Sequence, residues 1–278
     1  MASERMLLLS PSLSDAASFA ASSELSTLGV INAQNIQPKK VWRTNSTTGQ
    51  FLTVDFGSAV PANALAIVGH NLSGNATLRV RAAASAAAVT GAPPIDTAAQ
   101  SAWPSTGKPT IGNWPNLTSL LKWTNGTAYR YWRVDFADPS PLAAYFDFGR
   151  IVLGAYWQPS INFDLGGTPL GFAPTDIQTA TPYGYTFPDR RAESAPRLFE
   201  LQCYAVNQRE ALDGIYEIQR LRGLWGDVIC CLDPGATTDF HRFVMQGCFT
   251  AGGSYPLPPA FDSDGNMFGV GIKLREFL

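Results

Sequence analysis

The first half of the chain contains short segments in which apolar and polar residues alternate or apolar residues follow one another. In residues 77–83, for example, Arg79 and Arg81 alternate with Leu78 and Val80. A period of two places successive side chains on opposite faces of a β-strand. Glycine, proline and asparagine separate these segments, and no helical period lies between them. The pattern predicts an antiparallel β-sandwich with strands at residues 51–57, 64–69, 77–83, 129–137 and 146–154.

A single amphipathic helix is predicted over about residues 207–224. Asn207 is suited to accept a hydrogen bond at the start of this helix, and Glu210 stands where a capping-box acid belongs. Gly223 is suited to end the helix in a left-handed conformation. Apolar residues recur at three- and four-residue steps, which predicts a buried stripe of Ala211, Ile215, Ile218, Leu221 and Trp225.

Strand-like segments flank this helix at residues 198–205, 227–232, 240–251 and 267–277. One helix with an apolar stripe among these strands predicts a sheet-plus-helix unit. We therefore predict two domains, at residues 1–160 and 161–278. Residues 1–40 are predicted to be mostly loop and turn, and residues 84–128 form an excursion long enough to have a function or to contain short strands.

The composition disfavours two classes of partner. The chain of 278 residues is 45% apolar and 15% charged, with a net charge of −2, which gives no reason to expect nucleic-acid binding. No apolar run in the chain reaches the length of about 18 residues that a membrane-spanning segment needs. The apolar run at residues 6–9 is too short for the core of a secretory signal, so we expect synthesis in a cytoplasm.

The sequence gives little support for catalysis. His70 follows a predicted strand and His241 begins one, and no nucleophile elbow, metalloprotease helix or phosphate-binding glycine loop is present. Asp135 and Asp147 could form a carboxylate pair, but nothing in the pattern selects them. We predict that the chain is not an enzyme, that it has no catalytic residue and that it needs no cofactor.

The sequence also predicts no metal site. Adjacent Cys230 and Cys231 point to opposite faces of a regular strand, and no Cys-x-x-Cys spacing occurs. Residues 262–266 (DSDGN) have their glycine at the fourth place, whereas an EF-hand loop needs it at the sixth, so we predict a turn there. Buried reduced thiols are predicted, with a metal cluster as the alternative, for Cys203, Cys230, Cys231 and Cys248.

The excursion at residues 84–128 contains the candidate binding residues. Indole rings pack against the C–H faces of sugars while amides bond sugar hydroxyls. On this ground we predict carbohydrate or receptor contact for Trp103, Trp114, Asn116 and Trp123. The alternative is that each tryptophan closes one end of the sandwich.

The first half resembles the discoidin/galactose-binding-like jelly-roll family. The resemblance is carried by residues 41–44 (VWRT), 49–57 (GQFLTVDFG), 63–71 and 131–136 (YWRVDF). It implies a jelly-roll β-sandwich and leaves the ligand open, because many members of this family bind only protein.

The second half resembles the distal tail and tail-tip proteins of long-tailed bacteriophages. The shared pattern, in chain order, is residues 196–199, Glu210-Ala211 on a helix, Gly226, an apolar strand at residues 228–232, Asp233-Pro234, and a hairpin that begins at Phe240. The resemblance implies a mainly β fold in which a tail-tube-like β-barrel or sandwich is flanked by one α-helix. The cysteines also resemble those of a tail-tip relative with an iron–sulfur cluster, but their spacing differs.

The leading hypothesis from this resemblance is a structural protein of a virion tail tip or baseplate. Identical subunits, as a hexamer or a trimer, would form a ring that ends the tail tube and contacts the tail tube, tape measure and central hub proteins. The sandwich would be displayed toward host cell-surface glycan. Contacts between subunits are assigned to the helix residues Asn207, Arg209, Glu210 and Arg220. The alternative is a carbohydrate-binding adhesin or receptor-binding module, and a third hypothesis is a hydrolase with a discoidin accessory domain.

Overall fold

The computed structural model describes residues 4–104, 107–109, 116–163, 170–173, 177–180, 182, 186–189, 194–250 and 267–277. Its strands are β1 (Leu7–Leu9), β2 (Ser18–Ala21), β3 (Trp42–Arg43), β4 (Gln50–Pro61), β5 (Ala64–His70), β6 (Thr77–Ala83), β7 (Ile95–Asp96), β8 (Gln100–Ser101), β9 (Thr118–Lys122), β10 (Ala128–Ala137), β11 (Asp147–Gly154), β12 (Tyr156–Trp157), β13 (Leu170–Phe172), β14 (Ile177–Ala180), β15 (Thr186–Asp189), β16 (Arg197–Asn207), β17 (Asp227–Cys231), β18 (Val244–Phe249) and β19 (Met267–Glu276). Its helices are α1 (Ser12–Ala16), a 3₁₀-helix (Val30–Gln34), α2 (Ala86–Thr90), α3 (Gln208–Ala211), a π-helix (Leu212–Tyr216), α4 (Glu217–Arg222) and α5 (Phe240–Phe243). The prediction of a mainly β chain is confirmed.

Two antiparallel sheets form a β-sandwich in the first half of the chain. A six-stranded sheet has the order β2-β4-β10-β6-β7, with β8 also paired to β6, and a four-stranded sheet has the order β3-β11-β5-β9. Because the strands alternate, Leu52, Val80 and Trp132 of the first sheet meet Trp42 and Phe148 of the second in one core. The predicted sandwich and its strands are confirmed.

The second half forms an antiparallel sheet with the order β12-β1-β17-β18-β19-β16-β13, and β14 and β15 form a separate hairpin. Leu201, Val228 and Met245 on one face of the sheet pack against Ile215 and Ile218 of the helical segment. The predicted unit of one sheet and one helix is confirmed. In the residues that the structure describes, this sheet is open, with β12 and β13 at its edges, and is not a closed barrel.

The start of the chain contributes a strand to this second sheet. In β1, Leu8 lies opposite Trp157 of β12 on one side and Cys230 of β17 on the other. The prediction of mostly loop and turn for residues 1–40 misses this strand, because the apolar run at residues 6–9 is too short to show a period. The domain boundary near residue 160 stays a prediction.

Three helical segments, α3, the π-helix and α4, follow one another without a break and are called the composite helix. As predicted, Asn207 Oδ1 accepts a hydrogen bond from the Arg209 N–H at 2.9 Å, and Gly223 ends the helix with a φ of 53°. Gly214 lies in the π-helical turn, where a Cβ atom would overlap the indole of Trp157. Glycine at this position therefore lets β12 approach the helix closely.

The apolar stripe of the composite helix is only partly buried. Ala211, Ile215 and Ile218 lie in the core, whereas Leu221 is 48% exposed and Trp225 is 73% exposed. The prediction is wrong for these last two residues. The π-helical turn adds a residue to one turn and so rotates the stripe, and Trp225 follows the end of the helix at Arg222.

The structure corrects the prediction for one further segment and decides between the alternatives for another. The segment predicted as a strand at residues 240–251 begins with the short helix α5 before β18. The excursion at residues 84–128 contains α2, β7, β8 and the whole of β9, so the alternative that it contains short strands is confirmed.

Apolar packing and buried charges together join the four-stranded sheet to the open seven-stranded sheet. Ala66 and Val152 of the former pack with Leu9 and Ile229 of the latter in a common apolar cluster. Ion pairs add to this contact, and they form a group that we call the junction cluster, which consists of Asp15, Arg150, Arg222 and Asp227.

The charges of the junction cluster are paired inside the protein. Arg150 of β11 donates to Asp227 of β17 through Nε at 2.9 Å and Nη2 at 3.1 Å, and its Nη1 donates to the Gln34 carbonyl oxygen. Arg222 donates to Asp227 through Nη2 at 2.6 Å. Asp15 of α1 pairs with both arginines, at 2.7 Å and 3.1 Å. The cluster therefore connects strands from both halves of the chain.

Candidate functional site: an arginine cleft on the outer face of the sandwich

An open cleft lies on the outer face of the six-stranded sheet. It is found at the end of the sheet where β4 and β6 begin and β10 ends, and its volume is about 630 Å³. We call it the arginine cleft. Its lining consists of Thr47, Thr48, Gly49, Gln50, Thr77, Arg79, Arg81, Ala99, Arg133, Asp135, Phe136, Ala137, Asp138 and Pro139.

The alternation of the strands explains why these charged side chains share one face. Leu78, Val80, Val134 and Phe136 point into the core, so their neighbours in β6 and β10 point outward. The antiparallel register places Arg81 opposite Arg133 and Arg79 opposite Asp135. Residues that are 52 or more positions apart in the sequence are thereby brought side by side.

Asp135 holds two of the arginines. Its Oδ2 accepts hydrogen bonds from Arg81 Nε at 2.9 Å and Nη2 at 2.6 Å. Its Oδ1 accepts a hydrogen bond from Arg133 Nε at 2.8 Å. The guanidinium carbon of Arg133 also lies 3.5 Å from the centre of the Phe51 ring, which is a cation–π contact. Both arginines are therefore fixed in orientation by contacts with neighbouring strands.

Arg79 at the same face pairs with a different carboxylate. Its Nε donates to Asp96 Oδ1 of β7 at 2.8 Å. The hydrogen bond from Arg79 lowers the pKa of the Asp96 carboxyl, and burial opposes that change. The same hydrogen bond raises the pKa of Arg79. Both groups are therefore charged at neutral pH.

The guanidinium groups keep donors for a ligand. Within the described part of the chain, Arg133 makes its hydrogen bond through Nε, and Arg81 uses Nε and Nη2. Both Nη groups of Arg133 and the Nη1 group of Arg81 are left over. The cleft can therefore donate several charge-assisted hydrogen bonds to an oxygen-rich ligand.

The rim of the cleft is held in place by its own hydrogen bonds. Gln50 donates through Nε2 to Ser46 Oγ at 2.8 Å and to the Thr48 carbonyl oxygen at 2.9 Å. Gly49 has a φ of 63°, a conformation that favours glycine. On the other side of the cleft, the Ser73 hydroxyl and N–H donate to the two oxygens of Asp138 at 2.5 Å and 2.8 Å. The loops on both sides are thus positioned without a ligand.

The tryptophans predicted from the sequence lie elsewhere. Trp103 is 5% exposed, and its Nε1 donates to the Ser73 carbonyl oxygen at 2.6 Å. Trp123 packs against the sandwich core, 5.9 Å from Trp132 between ring centres. Asn116 Nδ2 donates to the Phe277 carbonyl oxygen at 2.9 Å. Trp114 lies outside the described residues, and carbohydrate contact by these four residues stays a prediction.

Trp103 also lines a second cleft, which has a volume of about 250 Å³. This cleft lies where the excursion meets the region around α5, and Lys108, Asp239 and Phe240 are among its other lining residues. Lys108 Nζ donates to the Leu72 carbonyl oxygen at 2.9 Å. The ammonium group of Lys108 is thus already hydrogen-bonded to the backbone.

The helix residues assigned to subunit contacts make local interactions. Arg209 pairs with Asp213 at 2.5 Å, and Arg220 pairs with Glu217 at 2.8 Å. Glu210 accepts a hydrogen bond from the Ser160 N–H and does not close a capping box with Asn207 in the described contacts. These local pairs do not test whether the four residues contact another subunit, so that assignment stays a prediction.

The groups considered for catalysis do not form a common site in the described residues. His70 is buried, its Nε2 is 2.9 Å from Ser119 Oγ, and burial lowers the pKa of its imidazole to about 3. Asp147 of β11 accepts hydrogen bonds from Arg43 at 2.7 Å and 2.8 Å, so Asp135 and Asp147 engage different arginines in different sheets. His241 lies in α5, in the second half of the chain.

Three of the four cysteine side chains lie in two cores, whereas Cys248 of β18 is only partly buried, so the prediction of a buried thiol is wrong for Cys248. Cys203 and Cys230 lie in the core of the sheet-plus-helix unit, and Cys231 lies in the cluster between the two sheets. The predicted opposite directions of Cys230 and Cys231 are confirmed. Burial raises the pKa of the Cys203 thiol to about 11. The DSDGN segment at residues 262–266 lies outside the described residues.

The cleft was not predicted from the sequence, although the alternating positions of its arginines are visible there. The alternation of Arg79 and Arg81 in one predicted strand, and of Arg133 and Asp135 in another, indicates two charged outer faces. The pairing of β6 with β10 is what makes them one surface, and strand order is not visible in a single sequence.

None of the helices in the described residues combines the length and the apolar character that crossing a membrane requires. No protein-family model matches the sequence, and a search of curated proteins gives no match either.

The chain is similar in part to several solved structures. One is the family 32 carbohydrate-binding module of NanJ from C. perfringens in complex with galactose, at 13% identity and a TM-score of 0.38, over 54% of this chain and 98% of that chain. Another is the lectin domain of lectinolysin complexed with Lewis B antigen, at 13% identity and a TM-score of 0.34, over 50% and 92% of the two chains. A third is chitosan-binding module 1 from a chitosanase/glucanase of Paenibacillus sp. IK-5, at 15% identity and a TM-score of 0.33, over 50% and 94%.

Proposed function

We propose that this protein binds carbohydrate through the arginine cleft and that it acts without catalysing a reaction. The observation that carries the proposal is the arrangement of Arg81 and Arg133 around Asp135 in an open cleft of about 630 Å³. This volume falls within the range of about 300–1,000 Å³ that is usual for small-molecule sites.

The chemistry of the cleft suits a ligand with many hydroxyl groups. Sugar hydroxyls accept hydrogen bonds from guanidinium groups and donate them to carboxylates, and both kinds of partner lie side by side in Arg133 and Asp135. The hydroxyls of Thr47, Thr48 and Thr77 add groups that both donate and accept. Because the arginines are already ordered, little side-chain entropy is lost when a ligand binds.

The test uses a glycan array to find bound saccharides, followed by calorimetric titration of the tightest one. Arg133→Ala removes charge-assisted hydrogen bonds that contribute about 1.5–3 kcal/mol, so we expect its Kd to rise at least about ten-fold. Arg130→Ala is the matched control, because Arg130 lies on the same strand and pairs with Asp55 at 2.7 Å but lies outside the cleft lining.

The control should bind like the unchanged protein. Two results contradict the proposal: a protein that binds no saccharide on the array, or equal losses of affinity in the Arg133 and Arg130 variants. Circular dichroism of each variant checks that the fold is kept.

We also propose, as a second candidate function, that the chain is a structural subunit of a phage tail tip, assembled as a ring of identical copies. The observation that favours assembly is the exposed apolar surface at the end of the composite helix, formed by Leu221, Leu224 and Trp225. Trp225 is 73% exposed, and large aromatic side chains are frequent anchors of protein interfaces.

Light scattering of the purified chain and electron micrographs test this second candidate. A trimer or hexamer with a central channel supports it, and Trp225→Ser should then dissociate the ring. A monomer at all protein concentrations contradicts it.

A further inference from the structure

We propose that the arginine cleft selects saccharides that bear a carboxylate, such as uronic acids. This inference rests on the proposed carbohydrate binding and specifies the class of ligand. The cleft already holds one carboxylate of the protein itself, that of Asp135.

Asp135 shows that the two central arginines are arranged to grip a carboxylate. Arg81 from β6 and Arg133 from β10 approach it from neighbouring positions, at 2.6 Å and 2.8 Å. Arg81 uses the edge of its guanidinium group formed by Nε and Nη2. A guanidinium group has a second edge of similar geometry, formed by its two Nη groups, which can bond a second carboxylate.

The charges of these three residues favour an anion. Two guanidinium groups, each +1, share the one carboxylate of Asp135, so the group has a net charge of +2 − 1 = +1. The other acidic residue of the lining, Asp138, has both oxygens engaged by Ser73, and Arg79 is paired with Asp96. Asp138 keeps its negative charge, so the lining counted together with Asp96 sums to +3 − 3 = 0, and the excess positive charge is local to Arg81, Arg133 and Asp135.

The surroundings strengthen the attraction for an anion. The Arg81 side chain is 11% exposed and that of Arg133 is 19% exposed, so water screens them less than it screens a surface arginine. The ring of Phe51 beneath Arg133 keeps the plane of this guanidinium group fixed. A planar carboxylate in the plane of such a group forms two parallel hydrogen bonds, which a neutral hydroxymethyl group cannot do.

The experiment compares ligands that differ only at this group. Methyl glucoside and methyl galactoside are titrated calorimetrically against the corresponding methyl uronides, which have a carboxylate in place of the hydroxymethyl group. We expect the better uronide to bind at least ten-fold more tightly than its neutral counterpart. We also expect this advantage to shrink as NaCl is raised from 20 to about 300 mM, because salt screens the charges.

Two variants assign the preference to the cleft. Arg133→Gln should reduce the advantage of the uronide to less than two-fold, whereas Arg130→Gln, on the same strand, should keep it. The uronide should lose more affinity than the neutral glycoside in the Arg133→Gln variant, and circular dichroism should show that both variants keep the fold, which separates loss of the charge preference from loss of the fold.

The possible failures are distinguishable. Equal binding of neutral and acidic sugars through the cleft overturns the inference and leaves the proposed carbohydrate binding intact. Binding of galactose 6-sulfate that is as tight as binding of the uronide overturns the choice of a carboxylate. No binding of any saccharide overturns both the inference and the proposed function.

Discussion

The junction cluster and the arginine cleft both combine arginine with aspartate, and they differ in how completely their guanidinium groups are bonded. In the junction cluster, Arg150 bonds through Nε and both Nη groups, and its partner Asp227 is fully buried. In the arginine cleft, Arg81 and Arg133 share one carboxylate and line an open cavity. Arginine and aspartate thus join two sheets in the junction cluster, whereas the arginines of the cleft keep hydrogen-bond donors that no group among the described residues uses.

The comparison shows that burial and saturation, and not residue type, distinguish a structural ion pair from a candidate binding site. A buried charge is tolerated when every donor has a partner, as in the junction cluster. Partly exposed pairs contribute little to stability, so the fold does not depend on them and their side chains can contact a ligand.

The largest effect is expected from Asp227→Ala in the junction cluster. The change leaves Arg150 and Arg222 buried without their shared carboxylate, which should lower the free energy of unfolding by about 3–5 kcal/mol. Urea denaturation followed by circular dichroism measures this loss. Asp227→Asn, which keeps the volume and one acceptor, should lose less, and a loss below about 1 kcal/mol in both variants would contradict a structural role.

The next effect concerns the backbone that supports the junction cluster. A Cβ atom at Gly149, next to Arg150, would overlap the Pro38 carbonyl oxygen. We expect Gly149→Ala to lower the free energy of unfolding by about 3 kcal/mol, at the upper end of the cost of overpacking. Gly126→Ala is the control, since a Cβ atom there has no neighbour within 4 Å. Equal stabilities of the two variants would show that residues 30–38 need not lie close to β11.

A third effect is a pH dependence from His70, which lies buried in the four-stranded sheet. Its pKa falls from about 6.5 in the unfolded chain to about 3 in the fold, because burial disfavours the charged imidazole. The unfolded chain therefore binds a proton at His70 that the folded chain does not bind, so stability decreases as the pH falls below 6.5. Between pH 7 and pH 5 this loss amounts to about 2 kcal/mol.

Urea denaturation at several pH values checks this expectation. His70→Gln should be less sensitive to pH than the unchanged protein in this range, whatever its stability at pH 7. If both proteins show the same slope between pH 6.5 and pH 5, the imidazole is not shielded as described.

The smallest effect on stability is expected in the arginine cleft. Asp135→Asn should change the free energy of unfolding by less than about 1 kcal/mol, because the pairs with Arg81 and Arg133 are partly exposed. A loss comparable to that of Asp227→Ala would remove the contrast between the two clusters. The same denaturation series measures both variants.

The sequence predicts the helices and strands better than it predicts which of them pair or pack together. Alternation in β4, β6 and β10 and the 3.6-residue period of the composite helix are local signals, so these elements were predictable. Asp227 and Arg150 are 77 positions apart, and nothing local in either strand indicates that they meet. The same holds for β1, which pairs with β17 across the length of the chain.

The candidate site was predictable only in part. The outward direction of Arg79, Arg81 and Arg133 follows from the strand period, whereas their convergence depends on strand order. The exposure of Trp225 was not predictable, because a π-helical turn has no reliable signature in one sequence and changes which residues face the core.

The most direct test of the contrast between the two clusters is an NMR titration that follows the Nε–H signals of the arginines. A methyl uronide is added to labelled protein, with signals assigned by single Arg→Lys changes at Arg81, Arg133, Arg150 and Arg222. We expect the signals of Arg81 and Arg133 to shift until the uronide saturates the cleft, while those of Arg150 and Arg222 stay unchanged. Unchanged signals from Arg81 and Arg133 at saturating uronide, or equal shifts in both clusters, would contradict this expectation.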